Sequence, residues 1–273
     1  RKAERERQKQ LKSEAWKKRK AENILFIGKN YSNLLAKKET NIQKLKENQM
    51  PIIETDRELA KFLQIEYNTL RYLVYHRDVI TFDNYYRFDI PKKSGGTRHI
   101  AAPKAQLKAV QRQILEQILQ KVEISDFSHG FIKSRSVLTN AKSHNTSPDF
   151  LINIDLENFF PTITFERVRG LYQSFGYSGY IASLLAMLCT YCERIPLEIK
   201  GEIKYIKTSD RILPQGSPAS PMITNIICRT MDMRIYGLCD KLGFTYTRYA
   251  DDMSFSYLGN TDTFSIGNFL NSI

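Results

Sequence analysis

The sequence predicts an α+β fold in which an antiparallel sheet is backed by amphipathic helices. Apolar residues alternate with period two from Tyr85 to Ile90, and they recur at helical spacing from Ala105 to Val122. The 42% hydrophobic and 26% charged residues lie in the ordinary globular range, and 273 residues can bury one large core or two modest ones. No internal repeat or low-complexity linker divides the chain.

The first twenty residues are a basic arm, with ten Lys or Arg against three Glu. Apolar periodicity is thin there, so we expect a solvated helix or one that a partner orders. Helical patterns follow at Ile42 and from Thr55 to Tyr75, where the acidic start at Asp56 predicts a capped helix running to Leu63. Residues 1–50 are therefore predicted to be a basic helical extension.

A hairpin with a cationic tip is predicted next. Its first strand covers Tyr85–Ile90, turn-forming residues occupy Pro91–Gly96, and Arg98–Ile100 resume the extended pattern. The amphipathic helix over Ala105–Val122 comes after it, and its apolar face must pack against other parts of the fold.

The second half of the chain mixes strands and helices. Phe150–Leu156 has the pattern of an apolar strand that ends in an acid. The remaining predictions are helices over Phe165–Phe175 and Tyr180–Tyr191, a helix with Ser220 as N-cap and Pro221 as its first residue, two strands within Phe244–Tyr257, and a helical pattern over Phe264–Ile273. Because the chain lacks an initial Met and stops within that last pattern, we expect a fragment of a longer polypeptide.

Composition limits the kinds of partner and the cellular compartment that we expect for the protein. The net charge of +12 and the pI near 9.4 favour a polyanion, although charge alone does not separate DNA, RNA and an acidic membrane face. With no run of eighteen apolar residues and no apolar signal core, we expect a cytoplasmic protein that does not engage a membrane. The four cysteines include one C-x-x-C but no second pair, which favours buried free thiols over a zinc site.

Acidic residues at the ends of two predicted strands carry the candidate chemistry. Asp251 and Asp252 lie at the tip of an alternating hairpin, and Asp155 ends the strand about a hundred residues upstream. Adjacent carboxylates repel unless a cation binds them, and oxygen-only sites suit Mg²⁺. An ordinary Asp-rich turn would explain the pair alone; a third acid beside it would make a two-metal site for in-line phosphoryl transfer.

Four segments, in this order, resemble the motifs of reverse transcriptases. Ile90–Arg98 is similar to the fingers hairpin, Asp155 with Phe159-Phe160 to the first palm motif, Leu213–Pro218 to the L-P-Q-G-S-P motif, and Tyr249–Asp252 to the Y-x-D-D box. The match covers about residues 65–273. It implies the fingers and palm of a right-hand polymerase: fingers at 51–150, and a palm at 151–273 that contains a fingers-like helical insertion at about 165–212. The palm would be incomplete at its C-terminal end, and the thumb would be missing from this chain.

The resemblance is nearest to the retron type, because Asn140–His144 fits the N-A-x-x-H signature and Ser128–Phe131 precedes it as in that group. This implies an enzyme that copies a structured noncoding RNA into branched, RNA-linked single-stranded DNA. The family association further implies anti-phage defence with an effector protein as partner. Asn140 and His144 are the expected RNA contacts. We expect a neutral His144 to order its loop or touch RNA rather than to perform acid or base catalysis.

The resemblance also implies the remaining site residues. Two Mg²⁺ ions would be bound by Asp155, Asp251, Asp252 and the Leu156 carbonyl. Phe160, five positions after Asp155, would be a steric gate against the ribose 2′ hydroxyl, unless it is only a core residue. The other expected contacts to the deoxynucleoside triphosphate are Lys92, Lys93, Arg98, Gln215 and Gly216. Arg98 and one lysine would neutralise the triphosphate, unless they merely form an exposed basic turn.

Two other functions remain open from the sequence. A group II intron or diversity-generating reverse transcriptase shares the same motifs and would be distinguished by the type of domain beyond Ile273. A catalytically idle palm that serves as an RNA-binding scaffold is the non-enzymatic alternative. The intact acids argue against that alternative, and primer extension with Mg²⁺ would test it.

Overall fold

The structure is a computed structural model of the chain that describes residues 2–92, 95–144, 146–259 and 266–270. The chain divides into two compact units. Unit 1 comprises Arg1–Tyr85 and Val168–Arg211, and unit 2 comprises Tyr86–Arg167 and Ile212–Ile273. The boundaries predicted for extension, fingers and palm are functional assignments, and they stay predictions.

Helices and strands come in runs along the chain, and both three-stranded sheets are antiparallel, as expected for an α+β fold. The α-helices are α1 Lys2–Glu22, α2 Ile42–Glu47, α3 Asp56–Phe62, α4 Tyr67–Val74, α5 Ala105–Gln117, α6 Val137–Lys142, α7 Phe165–Phe175, α8 Gly179–Cys189, α9 Ser220–Leu242 and α10 Ile266–Leu270. The strands are β1 Val79–Ile80, β2 Tyr85–Pro91, β3 Thr97–Pro103, β4 Phe150–Asp155, β5 Arg194–Ile199, β6 Glu202–Lys207, β7 Phe244–Tyr249 and β8 Asp252–Tyr257.

Unit 1 is built around α8, all of whose residues are buried. The predicted cap of α3 is confirmed: the Thr55 side chain accepts from the Glu58 backbone, and the Glu58 carboxylate accepts from the Thr55 backbone. A small antiparallel sheet with the strand order β1-β6-β5 completes the unit. α1 is exposed along almost its whole length, as the thin periodicity of the basic arm predicts.

Unit 2 contains a three-stranded antiparallel sheet in the order β4-β8-β7. α9 packs on β7, and a core cluster of mostly aromatic and aliphatic side chains fills the interface. Its fully buried members include Phe255 and Cys239, with Phe244 stacked on Phe269 of α10 at 4.2 Å between ring centroids. The same unit holds the separate β2–β3 hairpin. The two strands predicted around Asp251 and Asp252 are therefore confirmed.

Two local predictions are corrected, and one hairpin was missed. The helix predicted over Ala105–Val122 ends at Gln117, where Ile118 leaves helical geometry and a 3₁₀ turn begins. Ser220 is the first residue of α9 rather than its N-cap, and Pro221 is the second; Ala219 takes the N-cap position, and no side chain caps the helix there. The β5–β6 hairpin was not predicted, although its alternating residues around Lys200-Gly201 carry a turn signal.

The cysteines are free and buried, as expected. Burial raises the pKa of the Cys189 and Cys239 thiols to about 12, so both stay protonated at neutral pH. Within the described part of the chain, no helix has the length and apolar character needed to cross a bilayer.

Candidate active site

The register of the sheet in unit 2 brings the predicted acids to one end. β4 and β8 run antiparallel with Asp155 opposite Asp252, and the Leu156 backbone N–H donates to the Asp251 carbonyl at 3.1 Å. Directly opposed residues of an antiparallel pair have Cβ atoms about 4.5–5.5 Å apart. Acids from segments almost a hundred residues apart are thus cross-strand neighbours, as the sequence predicts.

The turn that carries Asp251 is a two-residue hairpin between β7 and β8. Ala250, its first residue, has φ of +60°, which is the left-handed conformation that tight hairpins require at that position. A side chain at Gly130 would place a Cβ only 2.5 Å from the Ala250 nitrogen. Gly130 is therefore required for the close approach of its loop to this turn.

The electrostatics of the three acids favour a cation. The pKa of Asp252 is raised above its ordinary value by partial burial first and then by the negative charges of Asp251 and Asp155. A divalent ion would remove this repulsion, and the oxygen-only donor set suits a hard cation. As the side chains lie, no group of three His, Cys, Asp or Glu among the described residues is arranged to hold a metal ion. The residues fit the ion in type, as carboxylates, and in position, as cross-strand neighbours at one end of the sheet. Binding through all three acids would need their carboxylates to rotate toward one another.

A buried ion pair lies behind the turn. Arg248, at the end of β7, is fully buried and donates from Nε and Nη2 to the two carboxylate oxygens of Asp232, both at 2.8 Å. Its Nη1 donates to the Ala250 carbonyl at 2.7 Å. The Tyr246 hydroxyl donates to the same Asp232 carboxylate. The guanidinium therefore connects α9 directly to the backbone of the acidic turn.

The Ser128–Gly130 loop joins the same network. The His129 backbone N–H donates to the Arg248 carbonyl at 2.7 Å, and Asn225 of α9 donates to the Gly130 carbonyl at 2.8 Å. The Ser128 hydroxyl donates to the Asn225 side chain. Sequence reasoning missed Arg248, Asp232 and Asn225. Two signals in the sequence could have found them. Asp232 and Asn225 are polar residues on the buried face of α9, and Arg248 is a charged residue within a buried strand.

Phe160 is largely buried, 9% exposed, and makes edge contacts with Phe159 and Phe131. Phe131 is half exposed, has φ of +60°, and lies 6.4 Å from the Tyr249 ring between centroids. Phe131 thus joins Phe160 to the tyrosine of the acidic turn. The steric-gate role of Phe160 stays a prediction.

The Leu213–Pro218 segment lies against β3. The Ala101 backbone N–H donates to the Gln215 carbonyl at 2.8 Å, and a Cβ on Gly216 would come within 2.8 Å of Ile100. Gly216 also has φ of +117°, which only glycine adopts without strain. The Gln215-Gly216 pair is thereby fixed beside the β2–β3 hairpin.

The cationic residues predicted to bind triphosphate lie on that hairpin. Lys92 and Arg98 are exposed, and the Lys92 backbone N–H closes the tip by donating to the Gly96 carbonyl. Lys93 lies outside the described residues. Within the described chain, no hydrogen bond or ion pair links Lys92 or Arg98 to the three acids.

His144 hydrogen-bonds to the sheet through both ring nitrogens, at 2.6 Å to the Ser256 hydroxyl and 2.7 Å to the Thr247 hydroxyl. Burial lowers its pKa, so the neutral ring is favoured. These bonds connect the end of α6 to β7 and β8. Asn140 is partly buried, and among the described residues its side-chain oxygen has no hydrogen-bond partner. Contact of either residue with RNA stays a prediction.

Comparison with known proteins gives a consistent result. Residues 90–268 match the family model described as reverse transcriptase (RNA-dependent DNA polymerase). The chain is 38% identical over 215 residues to the retron Mx162 reverse transcriptase of Myxococcus xanthus, covering 79% of this chain and 44% of that protein. It is 38% identical over 210 residues to the retron Ec86 reverse transcriptase of Escherichia coli, covering 76% and 58%.

Among solved structures, a telomerase from Candida albicans bound to a fragment of telomeric RNA is similar at 10% identity and a TM-score of 0.45, covering 87% of this chain and 46% of that one. The chain spans about half the length of the curated relatives that it matches.

Proposed function

The chain belongs to the reverse transcriptase (RNA-dependent DNA polymerase) family, and from this premise we propose that it carries the catalytic fingers and palm of a retron reverse transcriptase. The substrates would be deoxynucleoside triphosphates and a structured noncoding RNA that serves as template and primer. The product would be single-stranded DNA linked to that RNA. Identities of 38–39% to retron enzymes over most of this chain support the retron assignment.

The cross-strand pairing of Asp155 with Asp252 is the observation on which the catalytic proposal rests. Asp155, Asp251 and Asp252, together with the Leu156 carbonyl, would hold two divalent ions, which we propose to be Mg²⁺. When bound, the ions would supply the positive charge that activates a 3′ hydroxyl and neutralises the leaving pyrophosphate. The raised pKa of Asp252 supports this in part: burial raises it most, and the negative charges of Asp251 and Asp155 raise it further.

The protein groups would position the reactants. The primer oxygen attacks the α-phosphorus of the nucleotide, a new P–O bond forms, and the bond to pyrophosphate breaks in line with it. Arg248 would hold the acidic turn in place through the Ala250 carbonyl, so that the carboxylates need little reorganisation during the reaction.

Nucleotide selection would depend on residues around the β3 strand and the Phe160 ring. Gln215 and Gly216 would line the nucleotide pocket, and the exposed Gly216 gives a nucleic-acid backbone room to approach. Phe160 would exclude a 2′ hydroxyl, supported from behind by its edge contact with Phe159. Lys92, Lys93 and Arg98 would neutralise the triphosphate.

The biological setting is proposed from the resemblance to retron enzymes alone. As a retron enzyme the protein would act in the bacterial cytoplasm, produce branched RNA-linked DNA, and work with an effector protein in defence against phage. Asn140 and His144 would contribute to recognition of the cognate RNA, with His144 also holding α6 on the sheet.

Primer extension tests the proposal. The purified protein is incubated with its copurifying RNA, Mg²⁺ and labelled deoxynucleotides, and extension of that RNA into DNA is expected. Asp252→Asn serves as the negative control and should still bind the RNA. If the unsubstituted protein binds the RNA but adds no deoxynucleotide, the RNA-binding scaffold replaces the polymerase proposal.

A further inference from the structure

A pocket in unit 1 is lined by cationic side chains and aromatic rings. The three acids belong to unit 2, so the pocket is not part of the site they form. The pocket has a volume of about 450 Å³ and lies among the end of α1, the segment that comes after it, and α4. Lys20 and Arg71 supply positive charge, and Phe26, Tyr72 and Tyr75 supply rings. Among the described residues that line it, none is acidic. Volumes of about 300–1,000 Å³ are typical of sites for small ligands or single groups of larger ones.

The rings of this pocket are unusually exposed for their size. Phe26, Tyr72 and Tyr75 are 49%, 48% and 38% exposed. Tyr75 is engaged on two sides, by the Phe26 ring at 5.7 Å and by the Arg77 guanidinium at 4.7 Å. Tyr72 is 48% exposed and makes no ring or cation contact among the described residues. The Tyr72 ring is therefore available for stacking.

The backbone beneath the pocket is fixed before any ligand binds. The Asp56 carboxylate accepts from the Ile24 backbone N–H at 2.8 Å and from the hydroxyls of Tyr67 and Tyr180 at 2.8 and 2.7 Å. Three residues further on, the Ile27 carbonyl accepts from the His76 backbone at 3.0 Å. Phe26 is thus anchored on both sides, and ordering it on binding would cost little conformational entropy.

The cations of the pocket form no ion pair within the described chain, and the Asp56 carboxylate beneath it is occupied by its three hydrogen bonds. Neither Lys20 nor Arg71 forms an ion pair there, and the Asn23 and Asn68 side chains add hydrogen-bonding groups to the lining. Exposed rings beside unpaired cations are the composition that binds single-stranded nucleic acid, in which bases stack and phosphates meet positive charge. An acidic peptide would use the cations but not the rings.

We propose that this pocket binds one or two unpaired nucleotides of RNA, with a base stacked on Tyr72 and a phosphate at Arg71. The inference rests on the proposed function, since it assigns part of the RNA partner to a second site on the chain. The basic helix α1, which ends at the pocket, would extend the contact along the RNA backbone.

The test uses a matched pair of charge variants and a matched pair of ring variants. Arg57 and Arg71 both lie over the Tyr67 ring, at 4.5 and 6.0 Å, but only Arg71 lines the pocket. Binding of fluorescein-labelled oligouridylate RNA is measured by anisotropy across a salt series. We expect Arg71→Gln to weaken binding about fivefold and to reduce the salt slope by about 0.7, and Arg57→Gln to change affinity less than about twofold.

Removal of the Tyr72 ring should weaken RNA binding without changing its dependence on salt concentration. We expect Tyr72→Leu to weaken binding about tenfold at unchanged slope, whereas Tyr72→Phe keeps the ring and binds as the unsubstituted protein does. Equal affinities for Tyr72→Leu and Tyr72→Phe, or for Arg71→Gln and Arg57→Gln, would overturn the proposal. Primer extension by the unsubstituted protein is measured alongside. If the protein makes no DNA but the pocket variants still weaken RNA binding, the proposed function is wrong and the pocket stands. If the protein makes DNA but the pocket variants bind RNA normally, only the pocket proposal is wrong.

Discussion

The two hairpins of unit 2 differ in how the rest of the unit supports them. The β7–β8 hairpin has a buried arginine behind its turn, a glycine loop against it, and a histidine that bonds to both strands. The β2–β3 hairpin has exposed Tyr86, Phe88 and Ile90 along one strand. Its tip is closed by its own backbone, with positive φ at Gly95 and Gly96.

The difference matches the chemistry proposed for each hairpin. Metal-bound carboxylates must keep positions to within a fraction of an ångström, which requires support from packed and hydrogen-bonded neighbours. Cations that bind a triphosphate act through longer-range electrostatic attraction, so they can lie on an exposed element that moves toward the substrate. The fold therefore concentrates buried polar bonding behind the acids and leaves the basic hairpin open.

The largest effect is expected from the acids themselves. Asp251→Asn should reduce DNA synthesis by at least about 10³-fold, because one charge of the proposed metal site is lost. RNA affinity should stay within about twofold, since it resides in many distributed phosphate contacts. Synthesis is measured by single-turnover primer extension and affinity by filter binding. Synthesis at the normal rate would remove Asp251 from the site.

The next largest effect is expected at Arg248. Arg248→Gln leaves the Asp232 carboxylate buried without its charge partner, which should lower the free energy of unfolding by about 3–5 kcal/mol. Chemical denaturation measures this change.

A double variant separates folding from positioning. Arg248→Met with Asp232→Leu replaces the ion pair by apolar side chains and should recover most of the lost stability. We expect synthesis to remain low, because the bond from Arg248 to the Ala250 carbonyl is still absent. If synthesis recovers together with stability, Arg248 serves the fold and does not position the turn.

The contrast between the hairpins also marks what could be predicted from the sequence. Both hairpins are predictable, because period-two alternation and turn residues are local signals. The meeting of Asp155 with the acidic turn is inferred from motif order, and the β4–β8 register confirms it. The Arg248–Asp232 pair was not predicted, since it joins a helix to a strand sixteen residues away through side-chain geometry that no spacing rule gives. Ser220 was misassigned by one position, because a serine followed by a proline fits the N-cap and first helical positions, whereas the helix already begins at Ser220.

A moderate effect is expected from the exposed hairpin. Arg98→Gln should raise the KM for deoxynucleotide about tenfold with a smaller change in kcat, because one charge-assisted bond to the triphosphate is lost. Lys108→Gln on α5 removes the same charge from an exposed position away from the hairpin tip and is the control. Equal KM values for the two variants would mean that Arg98 does not contact the nucleotide. A large loss of stability in Arg98→Gln would contradict the view that the tip of this hairpin lacks buried support.

The smallest effect is expected in the pH dependence of stability. Burial lowers the pKa of His144 from its ordinary value of 6.5, so the unfolded chain takes up a proton more readily than the folded one. The stabilising contribution is therefore complete above pH 6.5 and is lost as the pH falls through the lower folded value. His144→Gln should lessen the decline in unfolding free energy between pH 7 and 5, while His99→Gln, whose ring forms an exposed pair with Asp89, should change it less. An equal decline in the unsubstituted protein and His144→Gln would show that protonation of His144 does not weaken the support of the acidic hairpin.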